Sequence, residues 1–365
     1  MAPLREASGV WGISAKGLSD PIVRGARDVT GQVIDTAVRQ RPALWPRVCD
    51  AAVFAVTNGL VYLAHPRHMV TFRHAVGYFP NVAKPVRYSE LVLWRKVFDH
   101  NPLFVTFSDK LATKRYVAQR CPDLALARVL WTGTDAASIP MASLGRPVLI
   151  KSNHGSGQNL IVGPRDSESL PVDRLNGWLG RPHGQHLLEW AYAKAERALL
   201  VEEVLGSDDG DELVDLMVHT VGGVPVFLEA IVGNKTVYAR KGYFRPDGSR
   251  WPELERRSAG RTSLPGYFQL PPCYREAVDH ARVLGSGIDY VRIDFMCASG
   301  RLYGGEITVY PGSGLTRHAE FPVYNALMAQ RWDVSTSWFL ASCQRGLRGL
   351  YARALERFLN SRDRH

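Results

Sequence analysis

The sequence predicts an α+β fold built mostly from antiparallel strands. From Arg128 onward, short apolar runs separated by glycine turns dominate. Two pairs of these runs are close enough to be hairpins. One is Leu213–Val221 with Val224–Val232 across Gly222-Gly223; the other is VRIDFMCASGRLYGGEITV, Val291–Val309. Nowhere do strands and helices alternate with the regularity of a parallel βαβ sheet.

Taken in order, residues 1–85 read as a mostly helical accessory region. Apolar patches at Ile34–Ala37 and Ala51–Leu63 are punctuated by Pro42, Pro46, Pro66 and Pro80. Ser89–His100 is a helix with Leu91, Trp94 and Phe98 in its apolar stripe. Ser108–Gln119 is a second, opened by a serine or aspartate cap. ARVLWTG, RPVLIKSN, LIVG and ALLVEEVL are strands, with a helical patch at Gln185–Lys194 before the last of them. KTVYARKGYF adds a further strand, and Arg245–Arg261 is a polar, basic insertion of the kind that often forms a functional loop. Cys273–Leu284 is a helix ahead of the final hairpin, and Ser335–Leu359 a helix or helix pair.

Composition narrows the class. A hydrophobic fraction of 45% and a charged fraction of 22% are those of a soluble globular protein. The net charge of +10 suits a polyanionic partner. It is spread along the chain without a nucleic-acid-binding signature, so no nucleic-acid partner is expected. The 5 cysteines are scattered and form no CxxC, which predicts reduced, buried thiols. The N-terminal stretch lacks the apolar core of a secretory signal, and Ala51–Ala64 is too short to span a bilayer. A cytoplasmic location is expected, with peripheral association as the only membrane role.

Four constellations carry chemistry. In SDKLATK, Lys110 opens a helix, where a cation opposes the macrodipole unless an anion offsets it. In PVLIKSNHGSGQNLIVG, a strand delivers Lys151 beside Gly155-Ser156-Gly157, whose backbone N–H groups can form an anion nest. His154 lies in the same loop. In LLVEEVL, Glu202 and Glu203 interrupt an apolar strand end. In the final hairpin a three-residue loop, Ser299–Arg301, would set Asp294 opposite Glu306 and Arg292 opposite Thr308. Two carboxylates beside a guanidinium suit Mg²⁺ and substrate phosphates; the alternative is a solvated face of a two-sided hairpin. Gly312 and Gly314 follow, able to place backbone N–H groups at an oxyanion.

In this order the segments Phe98–Val117, Val148–Val162, Leu199–Leu205 and Tyr290–Gly314 resemble the ATP-grasp superfamily, and most of all its TupA-like family, named for teichuronopeptide biosynthesis. The resemblance implies an ATP-grasp fold, two α+β subdomains (about 120–205 and 206–330) sandwiching ATP within residues 86–335, followed by a C-terminal helical segment, 336–365. It implies that Lys110, Lys151 and the Gly155–Gly157 loop hold ATP phosphates and that Glu202 and Glu203 form the adenine and ribose hinge. Asp294, Glu306 and Thr308 would bind Mg²⁺, with Mn²⁺ as the substitute ion. Arg292 and Gly314 would serve the transferred group. Separately, the basic run that opens with Arg240 and Lys241 is expected to meet an acidic substrate, a small-molecule or glycan carboxylate to be joined to an amine donor; the alternative is a solvated loop. The implied activity is an ATP- and Mg²⁺-dependent amide-forming ligase in cell-envelope polysaccharide or related peptide biosynthesis. A sugar or metabolite kinase and a non-catalytic nucleotide-binding scaffold are the alternatives. One departure stands out. Where the family carries Asp-Tyr-Lys, this chain has Asp215-Leu216-Met217, so either Lys235 or Lys241 substitutes or nucleotide binding is weaker.

Overall fold

The computed structural model describes residues 44–144, 147–163, 170–180, 183–206, 213–234, 236–255, 263–317 and 319–362. The expected helix at Ile34–Ala37 and the substitute Lys235 lie outside these residues.

Helices come first: α1 (Leu44–Ala64), α2 (Pro66–Val76), α3 (Tyr88–Val97), α4 (Leu103–Ser108) and α5 (Lys110–Arg120). The aspartate is the cap of α5: the Asp109 carboxylate accepts the Ala112 N–H at 2.7 Å. Strands β1 (Ala125–Leu126) and β2 (Val129–Gly133) follow, then α6 (Met141–Leu144), β3 (Val148–Ser152), β4 (Asn159–Val162), α7 (Val172–Leu179) and β5 (Leu199–Glu203). The patch at Gln185–Lys194 is not one helix but two 3₁₀ turns, Gln185–Leu187 and Tyr192–Lys194, separated by Leu188 in the left-handed region. Next come β6 (Val214–Val221), β7 (Val224–Val232), β8 (Arg240–Phe244), α8 (Tyr274–Gly285), β9 (Val291–Ala298) and β10 (Arg301–Thr308). The chain closes with α9 (Pro322–Arg331), α10 (Trp338–Ala341) and α11 (Gly346–Arg362).

The strands form a four-stranded sheet of order β2-β5-β3-β4 and a six-stranded sheet of order β1-β10-β9-β6-β7-β8. Every pairing is antiparallel except β1 with β10. The smaller sheet has its own core, in which Val148, Ile150 and Val201 pack against Leu175 of α7. The larger belongs to the main core, which also takes in α3 and the C-terminal helices.

The final hairpin corrects the sequence reading in an instructive way. Its loop has two residues, Ser299 and Gly300, both at positive φ (49° and 72°). That turn pairs Ala298 with Arg301 and Phe295 with Gly304, one residue out of the expected register. A bulge restores it. Gly305 and Glu306 together oppose Asp294, after which Ile293 meets Ile307 and Arg292 meets Thr308. Gly305 is required there, since a Cβ would lie 2.6 Å from the Asp294 carbonyl oxygen.

The cysteine reading is also corrected. Cys121 is a buried free thiol, but Cys49 and Cys343 are exposed, and Cys273 and Cys297 are paired. They meet because α8, which begins beside Cys273, packs on β9, which carries Cys297.

Candidate functional site

A cleft of about 340 Å³ is lined from three sides: α5, the four-stranded sheet with its β3–β4 loop, and the six-stranded sheet. It collects Lys110, Lys151, Gly155, Ser156, Gly157 and Glu202 together with Arg292, Asp294, Glu306 and Thr308.

Period-two geometry explains the large-sheet wall. Arg292 and Asp294 alternate with the buried Ile293 and Phe295 on β9, and β6 sets Met217 beside Asp294 and Asp215 beside Met296 on the same face. Arg292 grips Asp294 with two hydrogen bonds of 2.7 and 2.6 Å and reaches the Thr308 hydroxyl at 3.2 Å; that hydroxyl donates to Asp294 at 3.1 Å. Burial disfavours the guanidinium charge, but the paired carboxylate outweighs it and Arg292 is held more basic than usual.

On the opposite wall Glu202, only 2% exposed, takes Lys151 on one oxygen at 2.6 Å and Lys114 on the other at 2.8 Å. Burial pushes against its charge, yet the two lysines together hold its carboxyl below the ordinary range. Lys110 donates to the Gly155 carbonyl and lies 3.8 Å from Glu306, so it spans both walls. The glycine loop is braced at its centre, where the Ser156 N–H donates to His183 Nε2 at 3.3 Å. Burial, then Lys110, keeps that imidazole less basic than usual, as an acceptor must be. His154 is buried beneath the loop rather than at its surface.

Four expected residues do not line the cleft. Glu203 points to the other face of β5, where it accepts the Arg128 N–H at 2.8 Å. Gly314 (φ +67°) is packed where a Cβ would meet Val92 at 2.6 Å. Arg240 is exposed on β8, and Lys241 is bound to Glu229 at 2.6 Å. Glu229 in turn meets His219 Nε2 at 3.1 Å, while His219 Nδ1 meets the Tyr290 hydroxyl at 2.8 Å. Tyr290 contacts the Tyr88 hydroxyl at 3.3 Å, and Tyr324 donates to Tyr88 at 3.4 Å. Burial opposes the charge on Glu229, but Lys241 and His219 prevail and keep it ionised. Within the basic run, Arg256 and Arg257 lie outside the described residues.

Lys114 and Tyr192 are cleft residues that the sequence reading missed. Lys114 carried a signal, because it lies four residues from Lys110 and so shares its face of α5. Tyr192 carried none.

Comparison with known proteins places this constellation. Residues 90–324 match the model of the TupA-like ATP-grasp family. The chain belongs to that family. Its fold is therefore that of the ATP-grasp proteins. No curated protein matches its sequence. Among solved structures this ATP-grasp chain is similar to a D-alanine–D-alanine ligase from Bacillus anthracis, at 15% identity over 73% of this chain and 72% of that one, with a TM-score of 0.39. The L-amino acid ligase from Bacillus licheniformis matches at 12% identity, over 63% and 49%, with a TM-score of 0.38. The macrocyclase MdnC from Microcystis aeruginosa, bound with its precursor peptide, matches at 14%, over 64% and 63%, with a TM-score of 0.34. Membership rests on the sequence match; likenesses of this size bear on no substrate. Among the described residues no group of three or more His, Cys, Asp or Glu could hold a metal, and no helix is long and apolar enough to cross a membrane.

Proposed function

We propose that the chain is a carboxylate–amine ligase that works through an acyl phosphate, in cell-envelope polysaccharide or related peptide biosynthesis. The observation that carries the reading is a cleft in which Lys110, Lys114 and Lys151 face Arg292, Asp294, Glu306 and Thr308. Such a cleft has cations for a triphosphate on one wall and hard oxygen donors on the other.

In this reading Lys110 and Lys151 hold phosphate oxygens as point charges, and the Gly155–Gly157 loop offers backbone N–H groups. Glu202 pairs with both Lys114 and Lys151 and holds their ammonium groups at the cleft. Asp294, Glu306 and Thr308 supply two carboxylates and a hydroxyl, a set too small to enclose an ion but suited to Mg²⁺, or Mn²⁺, completed by phosphate oxygens and water. When bound, the ion neutralises charge spreading over the transferred phosphoryl group. Arg292, fixed by Asp294 and Thr308, stands beside that group and needs no reorganisation as charge develops.

An oxygen of the substrate carboxylate bonds to the γ-phosphorus as the bond to ADP breaks. The amine nitrogen then attacks the acyl carbon, phosphate leaves, and the nitrogen loses a proton to give the amide. The protein contributes position and field, with no covalent intermediate on a side chain. We infer an acidic acceptor, met outside the cleft by Arg240 and Lys241.

The test is ADP release with ATP, Mg²⁺ and a panel of uronic and amino acids crossed with amines. ADP formed only when acid and amine are both present, with an amide found by mass spectrometry, is the expected result. ADP with a stable phosphoester and no need for an amine would make the protein a kinase. Nucleotide binding without turnover for any pair would make it a scaffold.

A further inference from the structure

We propose that the outer face of α1, with the basic rim of α2 beside it, docks on an anionic membrane surface. From Ala51 to Ala64 this helix is apolar almost all round. Its inner face packs on α11, where the Phe54 ring lies 6.3 Å from Tyr351 and 6.1 Å from Phe358. Its outer face is apolar as well. Every exposed position between 51 and 64 is alanine, glycine, valine or leucine. The largest, Val56, Leu60 and Leu63, are 59%, 50% and 80% exposed. An ordinary surface helix turns charge to water on that side, and a helix without a polar face needs cover on both. The patch continues beyond α1. Tyr62 brings the helix to Phe79, with ring centroids 6.4 Å apart, and the Arg73 guanidinium lies 5.2 Å from the centre of the same ring. Phe79 and Val70 are themselves 56% and 50% exposed.

Charge identifies what covers the patch. Between Asp50 and Glu90 the sequence has no acidic residue, while it holds Arg67, Arg73, Lys84 and Arg87. Both flanking acids are engaged: Asp50 pairs with Arg357, and Glu90 accepts the backbone N–H groups of Asn81, Val86 and Arg87. Along this stretch of the chain the fixed charges are therefore all positive. A second copy of the chain would set these cations against their own counterparts. Anionic lipid headgroups would meet them while the acyl boundary accepts the aliphatic side chains, the arrangement of a helix lying in the interface plane. This inference does not depend on the chemistry of the cleft.

The experiment is co-sedimentation of the full chain with phosphatidylcholine vesicles and with phosphatidylcholine–phosphatidylglycerol vesicles. Binding is expected to the anionic vesicles only and to weaken with salt. Leu60→Asp/Leu63→Asp should reduce partitioning about tenfold or more, as the loss of two buried leucines requires. Arg67→Glu/Arg73→Glu should do the same through charge, with circular dichroism melts showing both variants folded. No sedimentation with anionic vesicles, or equal sedimentation with both kinds, overturns the proposal. So does a dimer at sedimentation equilibrium without lipid that Leu60→Asp/Leu63→Asp dissociates, since a second copy would then be the cover.

Discussion

Gly305→Ala tests whether the bulge sets the geometry of the cleft. The added Cβ would fall 2.6 Å from the Asp294 carbonyl oxygen and 3.3 Å from its carbonyl carbon. Both are backbone atoms of a central strand and cannot swing aside as a side-chain tip can. Relief requires the strands to separate or the bulge to move, at about 1–3 kcal/mol, the usual range for overpacking. Moving the bulge by one residue would carry Glu306 away from Asp294, because successive strand residues face opposite sides. The variant should therefore lose stability in urea and also lose the Mg²⁺-dependent part of a thermal shift with a non-hydrolysable ATP analogue. Gly300→Ala is the control. It strains the turn at φ +72° with no atom within 4 Å of the new Cβ, so it should cost about 1 kcal/mol and leave the Mg²⁺-dependent shift intact. A Gly305→Ala protein that keeps the full Mg²⁺-dependent shift, with a stability loss no larger than the control's, would refute the reasoning.

Lys114→Met should weaken nucleotide-analogue binding about tenfold, the scale of one charge-assisted contact, while Arg115→Met on the exposed side of α5 should not. Equal effects by titration calorimetry would remove Lys114 from the site. Glu202→Gln should cost about 1–3 kcal/mol at neutral pH by leaving two lysines without their carboxylate. Because the folded carboxyl titrates below its unfolded value, its contribution is full above the ordinary carboxylate range and fades as pH falls through the folded pKa. The variant should accordingly lose less stability on acidification than wild type. Asp99 is the opposite case: burial, then Asp289, raise it from 3.8 to about 7. The folded state keeps a proton that the unfolded chain releases, so stability falls as pH rises from about 4 to about 7, by at most about 4 kcal/mol. Asp99→Asn retains an acceptor for the Phe339 N–H and should stabilise the protein at pH 8 more than at pH 5 in urea titrations; an equal gain at both would count against a buried proton.

What could be read from the sequence was what local rules determine. Alternation along Val291–Phe295 placed Arg292 and Asp294 on one face, and Ser108-Asp109 marked the start of a helix, with the choice of cap between them left to the structure. The bulge was hidden because two departures cancel: the turn is one residue shorter than expected, and the strand absorbs one extra. Gly304-Gly305 was its visible trace. Glu202 and Glu203 were treated alike although neighbours on a strand face opposite ways, so only one could reach the cleft. The Cys273–Cys297 pairing depends on how α8 lies on β9, which no local pattern encodes. Gly314 illustrates a general ambiguity, since a glycine that must approach a substrate and one that must clear Val92 look the same in a sequence.

The row of polar groups from Lys241 to Tyr324 has a direction. Burial keeps His219 less basic than usual, so its ring carries one proton for two partners. Glu229, ionised, can only accept, which assigns that proton to Nε2 and makes Nδ1 an acceptor. Tyr290 must then donate to His219, Tyr88 to Tyr290, and Tyr324 to Tyr88. Every hydroxyl dipole in the row thus points the same way, toward a carboxylate clamped by Lys241. The core behind Arg292 is polarised as a unit, and a single lost hydroxyl, as in Tyr290→Phe, would leave His219 and Tyr88 each with an unanswered group.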